Sequence, residues 1–270
     1  VKPKTVFDCV AYGAYSFEKK TDLIYHTNFL SAVHMIEGLA KHGIAAYVHA
    51  GSSSEYGTNC SQPKEYDQCI PNSHYAVSKL AVADYLKFVG ENQGVPCVNL
   101  RLYSVYGPLE DASRLIPNLL RHALNGHFPP FADSRTSRDF VHVDDVCDAF
   151  VLAAVRMHPD IYGHSFNIGT GIKTTIGDLA EITRRLFNIE EVPRFGTMQS
   201  RAWDLQDWYA QPAKAEAMLG WKAGISLPDG LKNTANWIAS ISESDIVRLT
   251  KQDSTRRKRS VAAIIACYED

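Results

Sequence analysis

The chain alternates between short apolar runs and longer segments in which apolar residues recur every three or four positions. "TVFDCVAYGAY" is an apolar run closed by Gly13, the form of a buried strand ending in a tight turn. "DLIYHTNFLSAVHMIEGLAKHG" has apolar residues at 29, 30, 33, 36, 39 and 40, which predicts one helix, stopped by Gly43. Strand "IAAYVHAGS", helix "SHYAVSKLAVADYLKFVGENQG" and strand "VPCVNLRLYSVYG" repeat the alternation. Strands that are apolar throughout and separated by helices predict a parallel sheet covered on both faces, a doubly wound α/β core.

After Pro108 the rhythm loosens. A helix "ASRLIPNLLRHALNG" and a loop "HFPPFADSRTSR" precede strand "DFVHV", and helix "DDVCDAFVLAAVRM" opens with two acids at its positive end. "HSFNIGTG" predicts another strand and turn, and "TTIGDLAEITRRLF", "QPAKAEAMLGW" and "LPDGLKNTANWIAS" predict three short helices of a smaller lobe. Residues 241–260 have the composition of a linker, and "VAAIIACYED" has that of an opening strand or a single core helix.

Composition narrows the function classes. With 45% hydrophobic and 21% charged residues the chain is globular, and a net charge of -2 provides no field for nucleic acid. Six cysteines without a CxxC pair or zinc spacing predict reduced thiols in a cytoplasmic protein and no metal. No run approaches the roughly 20 apolar residues of a membrane helix, so membrane insertion is not expected.

Candidate chemistry centres on "NSHYAVSK". Tyr75 and Lys79 lie four apart, on one face of the predicted helix. An ammonium near the phenol would lower a pKa that starts at about 10 and make tyrosine a usable acid or base, worth roughly 10² to 10⁴ in rate. The same spacing also arises in helices as two ordinary surface side chains. "AGSSSEYG" follows a strand whose carboxyl end should open on the ligand crevice, where a serine could share a substrate oxygen with Tyr75. Alternatively these serines cap their own turn.

"AGSSSEYG", "HYAVSK", "NLRLYSVYGP", "SRDFVHVDDV" and "FNIGTG" occur in the order and spacing of the extended short-chain dehydrogenase/reductase family, which includes nucleotide-sugar epimerases and dehydratases, and from about residue 5 to 240 the chain resembles it. The resemblance implies a catalytic triad of Ser52, Tyr75 and Lys79. It implies cofactor contacts from Ala11, Gly13, Asn28, Tyr75, Lys79 and Tyr103, with NAD or NADP as the cofactor. Asn28 would support Lys79, and Tyr103 would lie by the nicotinamide. Ser53, Ser54 and Ser104 would face the sugar, and Arg138 and Arg201 would clamp the diphosphate through guanidinium forks.

The family opens with a strand, a GxxGxxG turn and a helix, and these are not in the sequence. The expected fold is therefore a Rossmann-like doubly wound parallel sheet whose first βαβ unit is missing, with a smaller C-terminal substrate-binding lobe. The division expected is 1–107 truncated dinucleotide-binding domain, 108–240 substrate-binding lobe with segments returning to the core, 241–260 linker and 261–270 the start of a following domain. That last stretch resembles the first strand of a family 2 glycosyltransferase.

Dehydratases of the family carry Asp-Glu, or at least Glu, directly after the triad Ser/Thr, where this chain has Ser53 and Ser54, with Glu55 one place later. The expected activity is an NAD(P)-dependent nucleotide-sugar epimerase passing through a keto sugar, acting as a homodimer in polysaccharide biosynthesis. An NADPH-dependent 4-keto-sugar reductase and a non-catalytic dinucleotide-binding module are the alternatives. Residues 1–270 alone, lacking the glycine turn, are expected to be inactive.

Overall fold

The computed structural model describes residues 3–15, 17–196, 206–242 and 244–245. Four parallel strands form the main sheet in the order β1 (Thr5–Asp8), β2 (Ala46–Ser52), β3 (Cys97–Leu102) and β7 (Ser165–Ile168). On one face lie α1 (Thr21–Tyr25), α2 (Ser31–Ala40) and α3 (His74–Gln93). There Ala32, Ile36, Val82 and Leu86 pack with Tyr47 and Cys97. On the other lie α5 (Val143–Val155) and α7 (Ala213–Leu219), where Phe150, Ala215 and Leu219 bury Val48, Val98, Leu100 and Phe166. This is the doubly wound, Rossmann-like arrangement expected.

The strands are less uniformly apolar than the sequence suggested. Side chains alternate between the two faces. On the α3 face the series runs Tyr47, His49, Gly51 in β2 and Cys97, Asn99, Arg101 in β3. The buried half nearest the carboxyl ends is therefore polar, with His49 and Asn99 fully buried. Gly51 is required by close approach, since a Cβ there would lie 2.2 Å from the Asn99 amide oxygen.

The run "VPCVNLRLYSVYG" is not one strand. It divides at Tyr103, and β4 (Ser104–Tyr106) turns away to pair with β6 (Phe140–His142) in a separate two-stranded sheet. A third sheet pairs β5 (Ser137–Arg138) antiparallel with β8 (Thr174–Thr175). The second core joins α4 (Leu115–Ala123), α6 (Ile176–Leu186) and α8 (Leu227–Ser240) through Leu119, Leu120, Leu179, Leu231 and Ile238.

Capping explains where the main helices begin. Ser73 accepts from the Ala76 amide at 3.1 Å to start α3, and Gly94, with φ 66°, ends it. The two acids that open α5 have separate uses. Asp144 is exposed, while buried Asp145 accepts from the amides of Gly224 and Ile225 at 3.0 and 3.1 Å and so ties the approach to α8 onto α5.

Candidate active site

The carboxyl ends of β1 and β2 and the first turn of α3 meet at one place. Ser52 caps a 3-10 turn, Ser53–Tyr56, in a reciprocal box. Its hydroxyl accepts from the Ser54 amide at 3.2 Å, and Glu55 Oε1 accepts from the Ser52 amide at 2.9 Å. The Ser52 and Ser54 hydroxyls also share a hydrogen bond of 2.7 Å. The self-capping alternative is therefore what the hydrogen bonds show, and the capped Ser52 hydroxyl also lies within hydrogen-bonding reach of Tyr75.

Burial raises the Tyr75 phenol to about 12, against a hydrogen bond with Ser52 that lowers it. Lys79 is not what tunes the phenol. Its ammonium, 1% exposed, donates to the Ala50 carbonyl at 2.9 Å and lies 3.4 Å from His49 Nε2. The four-residue spacing places both residues on one helix face, but the long lysine side chain reaches down to the sheet. Burial therefore favours the phenol form of Tyr75.

The loop after β1 closes this site. Glu18 Oε2 accepts from the amides of Gly13 and Tyr15 at 2.8 and 3.3 Å. Gly13 has φ 95°, and a Cβ there would meet Ile24 at 2.8 Å and the Tyr75 ring at 3.6 Å, so only glycine lets the loop pass. Asn28 accepts from the Tyr12 amide at 2.7 Å and donates to the Tyr12 carbonyl and to Ser78 Oγ, both at 2.8 Å. It sits in a π-helical turn, His26–Leu30, that interrupts the helix expected to be continuous. Asn28 is buried there and ties the loop after β1 to α3, without a bond to Lys79 itself.

Ser53 and Arg138 are held by Trp208. Its indole donates to Ser53 Oγ at 3.0 Å, and the Arg138 guanidinium lies 5.1 Å from the centre of its ring. Beside them buried Asp139 accepts from the amides of Thr170, Gly171 and Ala210 and from the Thr170 hydroxyl, at 2.6 to 3.0 Å. It joins the turn after β7 to the segment carrying Trp208. Ser104 donates its amide to the Asp139 carbonyl at 2.9 Å. Tyr103 is buried, with a hydroxyl that has no hydrogen-bond partner among the described residues. Ala11 is exposed on the loop after β1. Arg201 lies outside the described residues, as do residues 246–270, which include most of the expected linker and all of 261–270.

The sequence marks Glu55 only as displaced by one position, and its partners Arg101 and Asn99 are not singled out. Glu55 is fully buried, with Oε2 2.7 Å from Arg101 Nε and 3.1 Å from Asn99 Nδ2. Arg101 also donates to the Tyr56 hydroxyl at 2.8 Å and the Glu65 carbonyl at 3.0 Å. Asp8, His49, Asp139 and Trp208 were likewise not singled out. The signal available was weak: an Asp, a His and an Arg inside three otherwise apolar strands, where a charged residue needs a buried partner.

The donor set suits a dinucleotide. Lys79 has a third N–H beyond its two acceptors, the Tyr103 hydroxyl is buried and has no hydrogen-bond partner among the described residues, and the Gly13 turn passes close to the Tyr75 ring. A family model, described as the NAD dependent epimerase/dehydratase family, matches residues 1–169. A trifunctional UDP-glucose 4,6-dehydratase/UDP-4-keto-6-deoxy-D-glucose 3,5-epimerase/UDP-4-keto-L-rhamnose-reductase of Arabidopsis thaliana is 27% identical over 82% of this chain and 33% of its own length. The chain therefore spans about a third of that relative. A UDP-glucose 4-epimerase of Mycolicibacterium smegmatis is 29% identical over 80% of this chain and 69% of its own. Among solved structures, MoeE5 in complex with UDP-glucose and NAD is 28% identical, with TM-score 0.77, covering 87% of this chain and 79% of that one. No helix among the described residues is long and apolar enough to cross a membrane.

Proposed function

Since the chain belongs to the NAD dependent epimerase/dehydratase family, we propose that it carries out epimerisation of a UDP-sugar through a keto-sugar intermediate. NAD, when bound, supplies a hydride acceptor that returns the hydride, and a positive charge. Ala11, Gly13, Tyr75, Lys79 and Tyr103 would hold it, with Asn28 fixing the Tyr12 backbone of the loop beside them and the third Lys79 N–H available to a ribose hydroxyl. Tyr75 moves the proton: as the phenolate it would take the proton of the sugar hydroxyl during oxidation, and the resulting phenol, the form that burial favours, would return it to the keto oxygen on reduction; the positive charge of NAD would help the phenolate form for the first step. Ser52 bonds the same oxygen and holds it in line with the phenol. Arg138, on the lobe side, binds the diphosphate, and the same role is proposed for Arg201 from the sequence alone. Residues 1–107 and 108–240 divide these tasks between cofactor and sugar.

The observation that carries epimerase over dehydratase is the position of Glu55. Elimination of water needs a carboxylate facing the sugar, and this carboxylate is fully buried against Arg101, Asn99 and the Ser52 amide. Ser53 and Ser54 supply no substitute. We place the enzyme in the cytoplasm as a homodimer. The test is incubation of the native polypeptide with UDP-glucose and substoichiometric NAD. C4-inverted product without net reduced cofactor supports the proposal. Conversion only with stoichiometric NADPH makes it a keto-sugar reductase, and cofactor binding without turnover makes it a binding module.

A further inference from the structure

The most unusual feature of the site lies beneath it. Asp8 and His49 are register partners on β1 and β2, so their side chains emerge side by side on the α3 face. Asp8 Oδ2 accepts from His49 Nδ1 at 2.9 Å and from the Tyr47 hydroxyl at 2.5 Å, and Oδ1 accepts from the Val10 amide at 3.1 Å. The other imidazole nitrogen, Nε2, lies 3.4 Å from Lys79 Nζ. The three side chains are 5%, 0% and 1% exposed, and nothing in the proton transfer at Tyr75 calls for the first two.

An ammonium taken out of water requires a counterion. Among the described residues Lys79 has none in direct contact, since its acceptors are a carbonyl and an imidazole. The carboxylate fixes the tautomer: with Nδ1–H donated to Asp8, Nε2 carries the lone pair and accepts from Lys79. The series Asp8, His49, Lys79 is then neutral overall, with the negative charge one ring away from the positive one.

We propose that Asp8 and His49 are positioning residues that act as a counterion relay, holding the Lys79 ammonium charged and aimed at the cofactor. The groups facing the relay are Asp8 from β1, Lys79 from α3, Glu55 from the 3-10 turn and Tyr47 on β2 itself, with Cys9 near the lysine. Burial, then the lysine charge, pushes His49 down against the pull of Asp8 and Glu55, so the ring stays neutral. Burial also lowers Lys79, and Asp8, Glu55 and Cys9 oppose it. Neutralising Asp8 removes one support of the ammonium, so Lys79 must lose its proton at lower pH.

The role assigned to Lys79 rests on the epimerase reading, but the relay is measured without substrate. Nitrogen-15 NMR of the histidine rings and lysine ammonium groups of the native polypeptide, assigned with His49→Gln and Lys79→Arg, reads both tautomer and titration. The expected result is a neutral Nδ1–H ring at His49 and, in Asp8→Asn, a Lys79 midpoint lower by about one pH unit or more. His49→Gln, whose amide can donate to Asp8 and accept from Lys79, should keep the wild-type midpoint, while His49→Leu should lower it. Turnover should lose its alkaline limb at correspondingly lower pH in Asp8→Asn, with KM little changed. An Nε2–H ring, or an unmoved Lys79 midpoint in Asp8→Asn, overturns the relay whatever the turnover. If His49→Leu does not fold, Asp8→Asn against His49→Gln decides the same point.

Discussion

Changing Glu55 to Gln tests whether the buried pair with Arg101 holds the triad serine in place. The two side chains are 0% and 5% exposed and 2.7 Å apart, so neither charge has water to fall back on. In Glu55→Gln an amide NH₂ at the Oε2 position meets the Arg101 Nε–H, donor against donor, while the Oε1 position can still accept from the Ser52 amide. Removing one partner of a buried pair costs about 3–5 kcal/mol. Arg101 retains the Tyr56 hydroxyl and the Glu65 carbonyl, which favours the lower end, about 3 kcal/mol. At roughly 2–4 °C per kcal/mol for a domain of this size, Tm should fall by about 6–12 °C. Arg101→Met should cost a similar amount, and the double variant should cost less than the sum by about 2 kcal/mol, because no orphaned charge remains. The assay is denaturant unfolding of the four proteins. Single variants within about 0.5 kcal/mol of wild type, or strict additivity, would refute the reasoning.

Tyr75→Phe should reduce turnover at least about a hundredfold and leave cofactor affinity unchanged, since only the proton-carrying hydroxyl is lost; turnover and NAD titration measure the two separately. Burial holds Glu110 at about 7 against the pull of Arg114, so the folded chain binds this proton where the unfolded chain releases it. Stability should therefore fall as pH rises from about 4.5 to 7, by on the order of 3 kcal/mol, and Glu110→Gln should flatten that slope in unfolding free energies measured across the range. Asp139→Ala leaves three amides, one buried and two half-buried, without an acceptor and should cost about 2–3 kcal/mol by denaturant unfolding, with weaker nucleotide-sugar binding by calorimetry. Arg138→Ala should weaken UDP-sugar binding by about 1.5–3 kcal/mol and free-sugar binding little, again by calorimetry.

The α/β order was legible because strands buried on both faces and amphipathic helices leave different periods in the chain, and caps such as Ser73 and Gly94 mark their ends. The break at Tyr103 was not legible: Leu102 and Val105 are equally suited to one strand or two, and the choice is made by distant β6. The π-helical turn at Asn28 was hidden for a similar reason, since one extra residue in a helix barely disturbs its apolar spacing. Ser52, Tyr75 and Lys79 stood in recognisable motifs. Their contacts did not show there, because Asp8, His49, Glu55 and Arg101 come together only when four separate segments fold. The direction of Lys79 shows the same limit: helical spacing places two residues on one face, and the sheet beneath decides where a long side chain ends.

Under the proposed function, Tyr75 and Lys79 serve a hydride transfer that begins and ends at the same sugar carbon. UDP-glucose bearing deuterium at C4 should be converted by the native polypeptide with NAD to the C4 epimer with the deuterium still at C4 and no net reduced cofactor. Product with the label lost to solvent, or no conversion by a polypeptide that binds both NAD and the UDP-sugar, would contradict the account.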